Sequence, residues 1–67
     1  MTDTVLNCVQ EVRKEKGYTQ QEVADAVRVS RQTIIAIEKG NYMPSVGLAL
    51  SLAKHFKTSV EKLFYYE

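Results

Sequence analysis

Arg31, Gln32 and Thr33 stand together at the start of the stretch SRQTIIAIEKG, residues 30–40, and all three side chains are built for hydrogen bonding. A guanidinium can give two parallel bonds to the O6 and N7 acceptors of guanine, and a carboxamide can both donate to and accept from the N6 and N7 of adenine. That chemistry is recognition, not bond making. Directly behind these residues come Ile34, Ile35, Ala36 and Ile37. One face of the stretch must therefore be buried while its beginning is offered to something polar.

Groups suited to catalysis are sparse. His55 is the single histidine and Cys8 the single cysteine, so the usual multi-ligand zinc site cannot be assembled within one chain. The sequence has no nucleophile–base set and no glycine-rich phosphate loop, and 67 residues leave little room for a substrate pocket. An enzyme is not expected, nor are a metal, a cofactor or a small-molecule effector. Cys8 lies on an apolar stripe and reads as a small core residue.

A chain of 67 residues supports one domain at most, here 1–67. With 45% hydrophobic and 25% charged residues it has the composition of an ordinary globular protein, which excludes disordered and membrane-spanning classes. A lone cysteine forms no internal disulfide, which fits a reducing, cytoplasmic setting. The N-terminal MTDTVLNC has neither the positive flank nor the long apolar stretch of a signal peptide. Neither export nor membrane insertion is expected. Net charge is only +1, yet the stretch from Arg28 to Lys39 carries three basic residues and one acid, while the other acids lie elsewhere. The local excess matters more than the total.

The elements that must position these residues can be read from spacing. Val5, Cys8, Val9 and Val12 follow the i, i+3, i+4, i+7 rule of an amphipathic helix that ends at Gly17. TQQE, residues 19–22, has the form of a capping box and opens a short helix through Val27, with Val23, Ala24 and Val27 inward. Ser30 caps the next helix, whose inward face is Ile34 and Ile37 and whose end is marked by Gly40. After the loop GNYMP, Ser45 caps a fourth helix with Ala49, Leu52, Ala53 and Phe56 inward. Thr58 or Ser59 starts a fifth, with Val60, Leu63 and Phe64 inward. No strand is required, although LFYY at the end could also serve as one. The fold expected is all-α, a five-helix bundle.

Two short helices joined by a tight turn, about residues 19–39, form a helix-turn-helix, and in that arrangement the start of the second helix meets base edges in the major groove. The remaining sequence agrees with this reading. TQQEVA, VS, IEKG and PS occur in order, followed by LAKHFKTSVEKLF. These motifs make the chain similar throughout to the Xre/Cro group of phage-repressor-like DNA-binding domains.

The resemblance implies a lambda-repressor-like bundle that binds double-stranded operator DNA sequence-specifically, as a small transcriptional regulator expected to repress. Residue by residue it implies that Gln20 binds phosphate at a helix N-terminus. It places Arg31, Gln32 and Ala36 at bases, Thr33 at phosphate or base, and Lys39, Asn41 and Tyr42 at the DNA backbone. Ile35 and Ala36 stand where polar residues are usual in the family, so apolar contact with thymine methyls is expected of them. Arg13 and Glu38 match an ion pair tying the first helix to the third. Two departures stand out. Arg28 replaces a common turn glycine at a position that calls for φ > 0, and Cys8 replaces a frequent basic residue that helps hold phosphate.

One short reading helix touches few base pairs, so a symmetric homodimer is expected. Its interface is assigned to the C-terminal segment, about residues 59–67, through Leu63, Phe64, Tyr65 and Tyr66, with Leu50 as a possible contributor. The rival class is a protein-interaction module, such as an antitoxin or adaptor on the same fold.

Overall fold

The computed structural model describes residues 4–67. Five helices follow one another as α1 (Val9–Glu15), α2 (Gln20–Val27), α3 (Arg31–Glu38), α4 (Val46–Phe56) and α5 (Val60–Leu63). Two short strands, β1 (Val5–Asn7) and β2 (Phe64–Tyr66), frame them and pair antiparallel, with Val5 opposite Tyr66, Leu6 opposite Tyr65 and Asn7 opposite Phe64. The architecture is mostly helical, and "all-α" needs correcting by this ribbon.

The ribbon also moves the start of α1. Val5 fits the helical spacing, but its backbone bonds to the chain's far end, and the helix begins only at Val9. Asn7 and Cys8 effect the change of direction. The Asn7 Oδ1 accepts from the Val9 N–H at 3.1 Å, and the Cys8 N–H donates to the Leu63 carbonyl at 3.0 Å. The first free amide of the helix is thereby satisfied without a capping hydroxyl.

The other helix starts lie where the sequence places them. Thr19 Oγ1 accepts from the Glu22 N–H at 3.0 Å while Glu22 Oε1 accepts from the Thr19 N–H at 2.8 Å, a complete capping box. Ser30 and Ser45 accept from Thr33 and Leu48 at 3.2 and 3.1 Å. Each such cap stabilises by about 1 kcal/mol, a large share for elements of eight to eleven residues.

Four helices end alike. In each, the first or second residue past the helix turns left-handed and two backbone bonds close back, as with Val29 N–H to the Ala24 carbonyl at 3.0 Å and Arg28 N–H to the Asp25 carbonyl at 3.3 Å. Gly17 and Gly40 take this position after α1 and α3, but Arg28 (φ 62°) and Lys57 (φ 59°) take it after α2 and α4. The turn into α3 thus keeps the backbone shape that glycine favours, with a basic side chain at the negative end of each helix in partial return. Arg28→Gly and Lys57→Gly are each expected to raise stability by on the order of 1 kcal/mol by relieving that strain. Urea unfolding midpoints measure this, and unchanged or lower midpoints in both variants would refute it.

Val23, Ala24, Ile34, Ile37, Leu52 and Phe56 are fully or almost fully buried in one core, closed from below by Val9 of α1 and Leu63 of α5. Leu63 is wholly enclosed within its own chain. It cannot lend surface to a partner, and its assignment to an interface is corrected here. The half-turn from α5 into β2 points it back under α4, because the ribbon to β1 must close at Phe64.

Candidate nucleic-acid interface

The helix-turn-helix consists of α2, the three residues Arg28, Val29 and Ser30, and α3. Ile34 and Ile37 lock α3 into the core, and this orientation leaves Arg31 and Gln32 at its start exposed to solvent. Thr33, Ile35 and Ala36 are half-exposed along the same side, and Lys39, Asn41 and Tyr42 continue the exposed surface beyond the helix end. The Thr33 hydroxyl is shared with Ser30 at 3.0 Å, which steadies both side chains in the first turn.

Behind this surface lies a buried polar network. Arg13 Nε donates to Glu38 Oε2 at 2.6 Å, Arg13 Nη2 to Glu38 Oε1 at 3.3 Å, and Arg13 Nη1 to the Tyr18 carbonyl at 2.9 Å. The Glu38 side chain is only 2% exposed, and that of Arg13 10%. A charge pair so far from water persists only when its remaining hydrogen-bonding capacity is met. Gln20 contributes to this, its Nε2 donating to Glu38 Oε1 at 3.0 Å. Three helices, α1, α2 and α3, are thus tied at one carboxylate.

Gln20 therefore does more than the sequence implies. One amide hydrogen is engaged with Glu38, and the second remains for an outside acceptor beside the free N–H groups at the start of α2. These groups border a shallow polar concavity that also includes Lys14, Gln21 and Arg31. Lys14 escaped the sequence reading, since on α1 it reads only as a helix-end cation; the fold brings it beside Gln20.

Asn7 escaped it too. Its Nδ2 donates to the Ile37 carbonyl at 2.9 Å while its Oδ1 holds the start of α1, so the ribbon is pinned to the last turn of α3. An asparagine before an apolar-periodic run is a cap signal, but its second bond crosses 30 residues and leaves no local trace.

Cys8 is half-buried, and its Sγ donates to the Lys62 carbonyl at 3.0 Å. Burial, reinforced by the nearby Glu11 carboxylate, pushes the thiol's pKa up, so it stays neutral and unreactive near pH 7. Among the described residues no group of three or more His, Cys, Asp or Glu could hold a metal ion, and no helix is long and apolar enough to cross a membrane.

Residues 9–63 match the helix-turn-helix family model, most of the chain from α1 through α5. The chain belongs to the Xre/Cro helix-turn-helix family. It is 46% identical over 61 residues to the uncharacterized HTH-type transcriptional regulator YgzD of Bacillus subtilis, covering 91% of this chain and 92% of that one. It is 40% identical over 53 residues to the competence pilus inhibition repressor of Acinetobacter baylyi, covering 79% of this chain and 48% of that relative. The clp gene regulator ClgR of Corynebacterium glutamicum superposes with a TM-score of 0.75 at 33% identity, covering 78% of this chain and 55% of that one. This family member is a DNA-binding transcriptional regulator, with double-stranded DNA as its partner.

Proposed function

We propose that this regulator is a repressor that binds its operator as a symmetric homodimer, each copy reading the major groove with the start of α3. Arg31 and Gln32 meet base edges, Ile35 and Ala36 touch thymine methyls, and Thr33 reaches phosphate or base. Gln20 and the start of α2 hold one phosphate, with Lys14 beside them, and Lys39, Asn41 and Tyr42 hold the backbone past the helix end. The observation that carries this reading is the contrast within α3. Its first two residues are exposed hydrogen-bonding side chains, while Ile34 and Ile37, on the same two turns, are completely buried. A helix held that firmly presents its first turn as a rigid reading edge. The name of the Acinetobacter baylyi relative supports repression over activation.

The test is titration of the protein onto the duplex just upstream of its own gene at several salt concentrations. If Lys14 and Lys39 of both copies each neutralise a phosphate, log affinity should fall against log salt with a slope of about −3 to −4. A preference for that duplex should survive excess random DNA. Salt-independent binding, or none, would move the protein to the interaction-module class.

A further inference from the structure

A concavity outside the DNA surface opens where α2 and α4 both end. Its volume is about 710 Å³, within the roughly 300–1,000 Å³ of small-molecule sites. Arg28, Lys54, Lys57 and His55 line it together with Tyr18 and Ser51, and among the described residues no acid does. Three of the chain's nine lysines and arginines thus meet its single histidine in one place. The concavity of Lys14, Gln20 and Arg31 shares only Tyr18 with it.

Helix ends account for part of this charge. A cation is favoured at a helix C-terminus, and Lys54 in the last turn of α4 supplies one from regular helical backbone. Arg28 and Lys57 are different. Each holds its side chain at the rim from a left-handed backbone, φ 62° and 59°, which a glycine would adopt without strain. Strain kept at two positions around one hollow points to a use for the side chains that stand there. All three cations are exposed, and none makes a side-chain hydrogen bond or ion pair among the described residues. The His55 ring stacks on Tyr18 with centroids 4.6 Å apart, and its Nε2 is the one buried side-chain nitrogen or oxygen among the described residues without a hydrogen-bond partner. An orphaned nitrogen is a group that a bound ligand can satisfy.

We propose that this concavity binds a small molecule carrying several phosphate groups, which gives the regulator a chemical input separate from its DNA. The ligand class follows from charge and shape. Three cations with no acid among them need several negative charges to balance them, and the planar fork of Arg28 suits paired phosphate oxygens. Ser51, Lys54 and His55, at i, i+3 and i+4, stand on one face of α4, so one anion can meet all three. The Ser51 hydroxyl and the His55 ring add donors beside the cations.

Calorimetric titration of the full chain with inorganic tripolyphosphate and with adenosine triphosphate, at physiological salt, is the test. The wild type should bind both at a single site. Equal affinities assign recognition to the phosphate chain, and tighter binding of the nucleotide adds the Tyr18 and His55 rings to it. Arg28→Gly with Lys57→Gly, a variant expected to gain stability, should bind about a hundredfold more weakly, roughly tenfold for each charge-assisted contact removed. A merely structural role predicts that gain without the loss. Lys54→Gln should weaken phosphate binding by about tenfold and leave ligand-free operator affinity unchanged. No binding by the wild type, binding that survives in the glycine variant, or binding that Arg31→Ala abolishes in its place would overturn the assignment. So would weaker operator binding by ligand-free Lys54→Gln, which would make these cations DNA contacts, or tighter binding of a polyglutamate peptide than of either phosphate.

Discussion

Glu38→Ala is expected to lower stability by about 3–5 kcal/mol, the cost of leaving one member of a buried charge pair alone. Arg13 would then hold a guanidinium in a nearly dry site with, among the described residues, the Tyr18 carbonyl as its one remaining acceptor, and Gln20 would lose its bond to Glu38 as well. Small domains carry total stabilities near the lower end of about 5–15 kcal/mol, so much of the chain should be unfolded at 37 °C. An exposed ion pair would contribute no more than about 1 kcal/mol. Urea unfolding of Arg13→Met, Glu38→Gln and the combined variant gives the coupling between the two residues. Independent, small effects would mean that the pair does not hold α1 against α3. Gln20→Ala should cost less, on the order of 1–2 kcal/mol, because Glu38 keeps both bonds from Arg13.

Arg31→Ala and Gln32→Ala should each cost about 1–3 kcal/mol on the preferred operator and flatten the preference at the base pair they read. Both side chains are exposed and make no hydrogen bond or ion pair among the described residues, so unfolding midpoints should not move. That separates them from Glu38, whose loss would weaken DNA binding only by loosening α3. Lys39→Ala, in contrast, should weaken all duplexes alike and reduce the salt slope. Competition titrations against operators with single base-pair changes provide the readout. If Arg31→Ala and Gln32→Ala both retained affinity and preference, another surface would have to read the bases.

Local information was enough for the central helices. Thr19, Ser30 and Ser45 cap within three residues of themselves, and the inward stripes of α2, α3 and α4 repeat within one or two turns. Interactions of that range are written in neighbouring residues, and the reading edge of α3 follows from them once Ile34 and Ile37 are assigned inward. The Arg28 conformation was expected from the family resemblance, which sets a glycine at that turn position. The twin position at Lys57 was not, since it needs the exact end of α4.

Tertiary structure decided what depends on distant partners. Val5 fits a helical stripe and a strand equally well, and only pairing with Tyr66, sixty-one positions on, selects the strand. In α5 the sequence sets Leu63 inward but also offers it to an interface, and packing under α4 decided for the core. Gln20 could be seen in sequence as a polar helix start, but its bond to Glu38 spans 18 residues. The concavity of Tyr18, Arg28 and Lys57 joins three segments that carry no common periodicity. Such features follow from chain closure around the core, a property that no short window of residues encodes.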